Sequence, residues 1–401
     1  MPLTDAIRRP IRHRGVFYVG GYDPKTPEAF FARLDKERAR YETLWDVRTE
    51  RGAIEDIDGV AISTVTASGA SSRGPWTVET DVHFFSLEAI VQRDFADPIW
   101  VRFARYMATF WDYVASGTMF AFFRTNWRFA GYFLYPFLMA LLLAVVLLVP
   151  AFLIFSALPD EGLFRSPGGT ALRNGVFAVA GLLFFALLAK LTPRWYVPHL
   201  MDLWSFSRNW IRERRPDAQA LFDRYGKVTG ERAAAGAYDE IVLVGHSTGG
   251  ALILEIAHAA LAHGLSRGTI LTVGSTALKI GLHPAAGHFR DKVQALHDAG
   301  LDWVEYQSLT DIINFEGTDP AAEMGIARTN REFGHAQRVR IKHMLEPATY
   351  KRIKRNPFRV HYQFVFANTA RYHYDFHSIC FGPIALLDRA LNPDSVVKHL
   401  S

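Results

Sequence analysis

The sequence of 401 residues contains one cysteine, Cys380. A single cysteine excludes a disulfide within the chain and any zinc site built from cysteine pairs, and it is typical of proteins in a reducing compartment. The first 14 residues include four arginines but no apolar stretch, so they are not typical of a cleaved signal peptide. The chain also has no internal repeat, no P-loop and no dinucleotide-binding glycine pattern. These absences predict a protein without a nucleotide cofactor.

A metal site has little support either. His283 and His288 are spaced closely enough to suggest a pair of ligands, but no third ligand stands out near them. We therefore interpret residues 281–288 as a loop and expect no cofactor and no bound metal ion.

The chain carries a formal net charge of +5, from 45 basic and 40 acidic side chains. Such an excess can indicate nucleic-acid binding, but most of it lies beside two long apolar runs. Anionic lipid headgroups are therefore the predicted partner of this charge, and no nucleic-acid partner is expected. A further basic run at residues 351–355 is interpreted as a solvated helix face or a second lipid contact.

The two apolar runs are long enough to cross a membrane. Residues 129–159 contain no charged side chain, and residues 174–189 form a second charge-free run that Lys190 extends. About 20 helical residues cross a hydrocarbon core of about 30 Å. We therefore predict two transmembrane segments, at about residues 132–157 and 174–193. The alternative is a pair of buried helices in a soluble domain.

The segments that flank these runs, residues 100–128 and 190–215, are rich in aromatic and basic side chains. Aromatic rings beside arginines are typical of segments that lie at the headgroup level, although helices packed on a protein core have the same composition. The linker at residues 160–173 is short and nearly neutral, so both flanks belong on the same side. By the positive-inside bias, that side is the cytoplasmic face of an inner or cytoplasmic membrane.

The most specific local pattern is G-x-S-x-G, formed by Gly245, Ser247 and Gly249. It follows a β-branched run at residues 241–244, which predicts a buried parallel strand, and it precedes apolar residues at helical spacing in residues 251–262. A serine on a tight turn between a strand and a helix is presented to a base and to backbone donors. Ser247 is therefore the predicted nucleophile, and the alternative is a glycine-rich turn with a capping serine.

This pattern resembles the nucleophile elbow of the α/β-hydrolase superfamily, and the resemblance continues near the N-terminus. Residues 15–24 are typical of a strand that runs into a Gly-Gly turn, followed by a helix from about Thr26. The resemblance implies that one oxyanion-hole donor is the backbone N–H of Gly21 or Tyr22, and that the other is the N–H of Thr248. It also implies an α/β fold with a doubly wound, mostly parallel sheet and a Ser-His-Asp triad.

In this superfamily the acid follows a later strand. Residues 268–275 and 301–307 are the next two predicted strands, and Asp311 lies just past the second of them. By the resemblance, Asp311 would orient the histidine and stabilise its imidazolium form. Asp319, in a Thr-Asp-Pro turn, is the alternative, although aspartate before proline is common in ordinary turns.

Several histidines beyond the acid satisfy the order serine, acid, histidine: His343, His361, His373 and His377. The segment that begins at His361 is similar to the H-x-x-Y/F segment around the catalytic histidine of class 3 lipases, which favours His361. His343 follows residues 338–342, a plausible last strand, and precedes a predicted helix at residues 347–356. It therefore remains the main alternative, ahead of the 373–377 region.

These features predict three parts of the chain. Residues 1–99 would hold the N-terminal part of a hydrolase core, residues 100–215 a helical insertion with interfacial arms, and residues 216–401 the remainder of the core with the elbow, acid and histidine. The insertion precedes the nucleophile strand, whereas many members of the superfamily carry a cap between later strands. The usual cap therefore gives no guide to the substrate pocket.

The predicted function is that of a membrane-anchored serine hydrolase, of the carboxylesterase or lipase type. It would cleave an ester of a lipid or another apolar acyl substrate through an acyl-enzyme. Two alternatives use the same fold: a membrane protein with a binding or scaffolding role and little catalysis, and an acyltransferase with the same triad.

Overall fold

The computed structural model describes residues 11–157, 166–236, 238–329 and 333–400. Its strands are β1 His13–Val19, β2 Arg48–Arg51, β3 Glu55–Ile57, β4 Val60–Ser71, β5 Gly74–Phe85, β6 Glu240–His246, β7 Thr269–Val273, β8 Asp302–Gln307 and β9 Phe333–Arg338. Its helices are α1 Pro27–Trp45, α2 Glu88–Ala96, α3 Ile99–Ala115, α4 Thr118–Thr125, α5 Trp127–Ala157, α6 Pro167–Lys190, α7 Val197–Ile211, α8 Pro216–Ala235, α9 Gly249–Leu261, α10 Leu278–Gly281, α11 Gly287–Asp298, α12 Pro320–Glu323, α13 Ile341–Met344, α14 Pro347–Ile353, α15 Pro357–His361, α16 Phe376–Phe381, α17 Leu386–Leu391 and α18 Pro393–Leu400.

The nine strands form one mixed sheet in the order β2-β4-β5-β1-β6-β7-β8-β9, with β3 paired to β4. The pairs from β5 through β1 to β9 are parallel, and every pair that includes β4 is antiparallel. The fold is therefore α/β with a mostly parallel sheet, as the sequence predicted. The antiparallel strands β2 to β5 were not predicted.

Side chains alternate between two apolar cores because successive residues of a strand point to opposite faces. Phe17 and Leu243 belong to a core shared with α8, α9 and the inserted helices. Val16 and Val242, one residue earlier on each strand, belong to a second core with α1 and the C-terminal helices. The central strands are consequently buried on both faces, and β6 is buried at every residue.

A buried ion pair joins β1 to β6. Arg14 Nε lies 2.6 Å from Glu240 Oε2, and the Arg14 guanidinium also donates to the carbonyls of Cys380 and Gly382 at 2.9 Å each. A buried charge needs a partner and further hydrogen bonds, and this arginine has both. The pair therefore ties the central strands to the C-terminal helices.

The predicted strand at residues 338–342 was wrong. The last strand, β9, ends at Arg338, and Val339 makes one more hydrogen bond, from its N–H to the carbonyl of Gln307 at 2.8 Å. The chain then turns at Arg340 into α13. Val339 and Ile341 are both buried there, so the apolar spacing that resembled a strand reflects burial in a turn and a short helix.

Two helices, α5 and α6, are long and apolar enough to cross a membrane. They begin earlier than predicted, and α6 ends at Lys190 rather than near residue 193. Much of the predicted linker is helical, because Ser166 caps α6 and Pro167 occupies its first position, a combination typical of helix starts. Residues 158–165 of the linker lie outside the described residues.

These helices differ from the core helices of a soluble domain in their exposure. The most apolar window is 17% buried in α5 and 18% buried in α6. Only the N-terminal part of α5, including Phe129 and Phe133, packs into the protein. The later part of α5 exposes a long series of large apolar side chains: Leu138, Leu141, Leu142, Val145, Val146, Val149, Phe152, Leu153 and Ile154.

The aromatic flanks divide into two groups, which corrects the expectation that they are interfacial as a whole. One group is buried in the protein core: Tyr106, Tyr113, Phe122, Trp204, Phe206 and Trp210. The side chains of the other group, called here the exposed rings, lie at the surface: Trp100, Trp111, Phe120, Phe123, Trp127, Trp195 and Tyr196. Most buried rings contact one another through α3, α5 and α7, so these helices are part of the body of the protein.

Most arginines of the flanks also bind other side chains of the protein. They form ion pairs with aspartates: Arg102 with Asp202, Arg105 with Asp97, Arg208 and Arg212 with Asp112, and Arg215 with Asp94 and Asp217. Aspartates therefore compensate the positive charge of these arginines within the protein. The exposed cations nearest the ends of α5 and α6 are Arg124, Lys190 and Arg194.

Candidate functional site

Ser247 lies on the turn between His246, the last residue of β6, and the first turn of α9. Its backbone has φ of 60°, in the left-handed region that a serine rarely adopts. The Ser247 N–H donates to the carbonyl of Val273 at 3.2 Å, and its carbonyl accepts from the N–H groups of Gly250 and Thr276, each at 3.0 Å. Such strain persists only where surrounding contacts over-determine the backbone.

The motif requires glycines because other backbone atoms lie where a side chain would begin. A Cβ on Gly245 would lie 2.3 Å from the carbonyl oxygen of Gly249, and a Cβ on Gly249 would lie 2.4 Å from the carbonyl oxygen of Gly20. Gly250 has the same restriction, because its Cβ would lie 2.3 Å from Ser275 Oγ. The turn can therefore form only because these positions carry no side chain.

Asp311 and His361 form a buried pair. His361 Nδ1 lies 2.7 Å from Asp311 Oδ2, and the two side chains are 4% and 0% exposed. The other carboxylate oxygen, Oδ1, accepts the N–H of Ile313 at 2.9 Å. Asp311 lies in the loop between β8 and α12, and His361 ends α15, whose N-cap is Asn356. Because a carboxylate accepts the Nδ1 proton, Nε2 is left as the proton acceptor of the ring.

His361 Nε2 is buried and has no hydrogen-bond partner among the described residues. The His361 ring lies 4.8 Å from the His246 ring, and a Cβ on Gly274 would lie 3.2 Å from His361 Cε1. Gly274 follows Val273, the acceptor of the Ser247 N–H. The histidine is therefore next to the elbow, but Ser247 Oγ and His361 Nε2 are not hydrogen-bonded; such bonds are often long in sites without substrate.

The other candidate histidines lie elsewhere. His343 is exposed in α13, with its ring 6.0 Å from that of Tyr372, and His373 lies 4.1 Å from the same tyrosine. His377 is fully buried, with neither ring nitrogen paired to any described residue. Within the described part of the chain, none of the three contacts Asp311.

Asp319 has the turn role that its sequence context indicates. Its side chain accepts the N–H of Ala322 at 3.0 Å as the N-cap of α12, and it forms an ion pair with Arg328. Both contacts stabilise the local fold. The carboxylate is therefore committed to a helix start and not to a histidine.

The predicted oxyanion turn lies against the serine. A Cβ on Gly21 would lie 3.5 Å from Ser247 Oγ. In the loops and caps that the structure describes, the N–H groups of Gly21, Tyr22 and Thr248 donate to no backbone carbonyl. Unsatisfied N–H groups beside a serine are what a developing oxyanion requires.

Tyr22 anchors this turn to the neighbouring helices. Its hydroxyl donates to Asp94 on α2 at 2.6 Å, and its ring lies 5.1 Å from Phe206 on α7. The position of the turn therefore depends on the inserted helices as well as on the sheet.

Lys279 is a residue of this region that no sequence pattern indicated. It is 1% exposed in α10, and its Nζ donates to Thr248 Oγ1 at 2.9 Å and lies 5.5 Å over the Trp204 ring. Burial lowers the pKa of Lys279 well below its ordinary value, because desolvation disfavours the ammonium form. The only available signal was a lysine within the otherwise apolar residues 277–280.

Two cavities border the site. The first, called here the basic cavity, has a volume of about 580 Å³, and its charged lining side chains are Asp23, Lys25, Arg33 and Arg359. The second, called here the apolar groove, has a volume of about 490 Å³ between α5, the Asp311 loop and α15. Its lining includes Trp127, Gly131, Tyr132, Ile312, Ile313 and Phe358.

One group of side chains could hold a metal ion, and it lies away from the elbow. Ligand atoms of His13, Glu79 and Asp81 lie within 4.8 Å of one another at the start of β1. The turn that carries Ser247 lies at the other end of β1. Two of the histidines considered earlier are not part of this group: His283 is buried beside the Tyr113 ring, 5.5 Å away, and His288 lies in α11 rather than in the predicted loop.

Three comparisons with known proteins found no matching family model, no matching curated protein and no matching solved structure. Similarity therefore assigns no family to the chain. The structure itself shows an α/β fold, with a mixed nine-stranded sheet and two apolar helices long enough to cross a membrane.

Proposed function

We propose that the protein is a membrane-anchored serine ester hydrolase of the α/β-hydrolase type. The observation that carries the proposal is Ser247 at φ of 60° on a strand-to-helix turn, beside a histidine whose Nδ1 is held by Asp311. A buried Nε2 without a partner is the position that a general base would use. The Gly21–Tyr22 turn supports the same proposal, because a Cβ on Gly21 would lie 3.5 Å from Ser247 Oγ, and backbone donors beside the serine would hold an oxyanion.

The proposed reaction proceeds through an acyl-enzyme. His361 Nε2 takes the proton of Ser247 Oγ while the oxygen attacks the ester carbonyl, and the backbone N–H of Thr248 with that of Gly21 or Tyr22 stabilises the oxyanion. The imidazolium then protonates the departing alcohol. A water molecule, deprotonated by the same nitrogen, then attacks the acyl carbonyl. The bond to Ser247 Oγ breaks, the imidazolium returns its proton to that oxygen, and the acid is released. Asp311 keeps the ring in the required tautomer throughout.

An apolar acyl group fits the surroundings of this site. The apolar groove is lined mainly by hydrocarbon and aromatic side chains, as binding sites for apolar ligands usually are. Phe129 of α5 stacks 3.9 Å from Phe315 of the Asp311 loop, and Arg128 donates to the carbonyl of Leu309 at 2.8 Å. The helix proposed to enter the membrane therefore packs directly on the loop that carries the acid.

The proposed anchor is the pair α5 and α6. Its support is the exposure of apolar side chains over most of both helices, which is costly in water and favourable in lipid. Exposed rings and cations such as Trp127, Trp195 and Lys190 lie where the pair leaves the body of the protein. Such a belt is typical of a membrane interface, and its cations favour the cytoplasmic side.

Labelling by a fluorophosphonate tests the proposed chemistry. This probe reacts with an activated serine, so the full chain in detergent is expected to be labelled and the Ser247→Ala variant is not. Ser72→Ala is the matched control, because Ser72 Oγ lies 3.0 Å from His399 Nδ1 on the surface but has no strained turn around it. Absence of labelling in well-folded wild-type protein would favour a binding or scaffolding role instead.

Extraction and labelling of sealed vesicles test the proposed anchor. The chain is expected to remain in the membrane after an alkaline carbonate wash and to need detergent for release. Cys380 is buried, so it should not react with an impermeant maleimide. Single cysteines can then be introduced by Ser72→Cys in the turn between β4 and β5 and by Thr170→Cys on the first turn of α6, and each can be labelled separately. The two are expected to react from opposite faces, with Ser72→Cys cytoplasmic. Release by carbonate, or reaction of both from one face, would contradict a spanning pair.

A further inference from the structure

The basic cavity adjoins a narrow crevice beside the Gly20–Gly21 turn. Four of its lining residues, Asp23, Lys25, Arg33 and Tyr362, also line a narrow crevice that reaches Gly20, Gly21 and His246. Gly21 is the residue whose Cβ would lie 3.5 Å from Ser247 Oγ. A group bound in the cavity would therefore lie beside the turn that is proposed to hold the oxyanion.

The charge of this cavity is unbalanced. Asp23 is its one carboxylate, and it is already shared between Lys25 Nζ at 3.0 Å and the Tyr362 hydroxyl at 3.2 Å. Arg33 and Arg359 form no ion pair with any described residue. Both side chains line the cavity together with Phe366, and their guanidinium groups lie 5.9 Å and 4.4 Å from the centre of its ring.

Lys25 supports the same assignment. Burial and the nearby Arg33 lower the pKa of Lys25, which means that its ammonium form lacks full compensation by neighbouring charge. An anion in the cavity would supply that compensation. Phosphate oxygens are the usual partners of clustered arginine and lysine side chains, because they accept several charge-assisted hydrogen bonds at once.

The basic cavity and the apolar groove share a wall. Phe358 lines both, and the ring of Tyr196 lies 4.2 Å from it. One cavity is basic and reaches the oxyanion turn, and the other is apolar and runs beside the Asp311 loop. A ligand with an anionic end and an acyl chain matches both surfaces.

We propose that the substrate is an ester that carries a phosphate group, held by Lys25, Arg33 and Arg359 in the basic cavity while its acyl chain lies in the apolar groove. This inference rests on the proposed function and adds the headgroup to it. The phosphate binds and orients the ester, and it takes no part in bond making or breaking.

Two soluble esters that differ only in the phosphate test this assignment: 1-butyrylglycerol and 1-butyrylglycerol 3-phosphate. Both are monomeric, so partition into detergent does not distort the comparison. With the full chain in detergent, KM is expected to be at least about tenfold lower for the phosphorylated ester, because charge-assisted contacts are made only to it. Equal KM values, or a preference for the neutral ester, would overturn the assignment.

A pair of double variants separates the cavity from general charge effects. Arg33→Gln with Arg359→Gln is expected to raise KM for the phosphorylated ester about tenfold and to reduce the preference for this ester over the neutral one by about the same factor. Arg352→Gln with Arg355→Gln removes the same charge from exposed positions on and after α14, and it should change neither value. An equal loss for both esters in the first double variant would contradict a phosphate site.

Calorimetry on the Ser247→Ala protein keeps this inference separate from the hydrolase proposal. If no ester is cleaved and Ser247 is not labelled, the proposed hydrolase function fails. Binding of 1-butyrylglycerol 3-phosphate that is lost in the Arg33 and Arg359 double variant would still support a phosphate site in the basic cavity. No binding would overturn it. Inorganic phosphate distinguishes the source of the anion: it is expected to bind at least about tenfold more weakly than the phosphorylated ester, and equal affinity would indicate a site for free anions.

Discussion

Replacing His361 with alanine is expected to lower kcat/KM for a soluble ester by about 10³-fold or more. A general base contributes about 10² to 10⁴-fold to such reactions, and the serine is a weak nucleophile without one. The Ser247 hydroxyl and the oxyanion donors remain in place in this variant, so substrate binding should change little and the loss should fall on kcat. Steady-state kinetics on 1-butyrylglycerol measure the effect.

His343→Ala is the matched control for this prediction. His343 satisfies the same chain order, but it is exposed and its ring contacts Tyr372 rather than Asp311. Its replacement should leave kcat within about twofold, as surface substitutions usually do. Loss of activity in His343→Ala with retention in His361→Ala would assign the base to the other histidine and contradict the site proposed above.

Replacing Asp311 with asparagine is expected to lower kcat by about 10⁴-fold with little change in KM. An amide at this position can donate to Nδ1, which would move the ring proton to Nε2 and remove the base that Ser247 needs. The amide also cannot stabilise the imidazolium. The buried position increases the expected loss of kcat, because the Asp311 side chain is 0% exposed and water cannot replace the lost carboxylate contact.

Asp319→Asn is the corresponding control. Asparagine also caps helices well, so this variant should keep the cap of α12, weaken the ion pair with Arg328 and reduce the free energy of unfolding by about 1 kcal/mol or less. Its kcat should be unchanged. Retention of kcat within about tenfold in Asp311→Asn would mean that the 2.7 Å contact to His361 is structural and not part of the reaction.

The central parallel strands could be predicted from the sequence because each carries its own local signal. β1, β6, β7 and β8 are short apolar runs bounded by turn residues, and the structure places each within two residues of its predicted range. Thr26 and Pro27 likewise start a helix by local chemistry, since the threonine side chain accepts the N–H of Ala29. The fold class followed from these strands.

The parts that were missed depend on contacts between distant residues. β4 is rich in Ser and Thr, and the first half of β5 alternates between exposed and buried residues, so the apolar signal of both strands is weak until they pair. No sequence pattern indicated a role for Lys279, because nothing in its neighbourhood along the chain reveals Thr248 or Trp204 beside it. The division of the aromatic flanks into buried and exposed rings also depends on tertiary packing.

The candidate site could be predicted from the sequence on two different grounds, one local and one by resemblance. The glycine spacing around Ser247 is local and follows from backbone approach, whereas the choice between histidines rested on a short resemblance. The structure brings together Asp311 and His361, the favoured pair, across 50 residues of sequence. Their roles in a reaction stay a prediction until the variants above are measured.

The position of β1 also dictates an order of events during synthesis of the chain. One edge of β1 can pair with β5 once residues 74–85 have been translated, but the other edge waits for β6, and Arg14 and Glu240 are 226 residues apart. Both apolar helices leave the ribosome in that interval. The open edge of β1 is a site for mispairing until β6 arrives, so nascent chains stalled before residue 240 should be more prone to aggregation than complete ones. On the topology proposed above, the anchor enters the lipid before the serine that it serves has been translated.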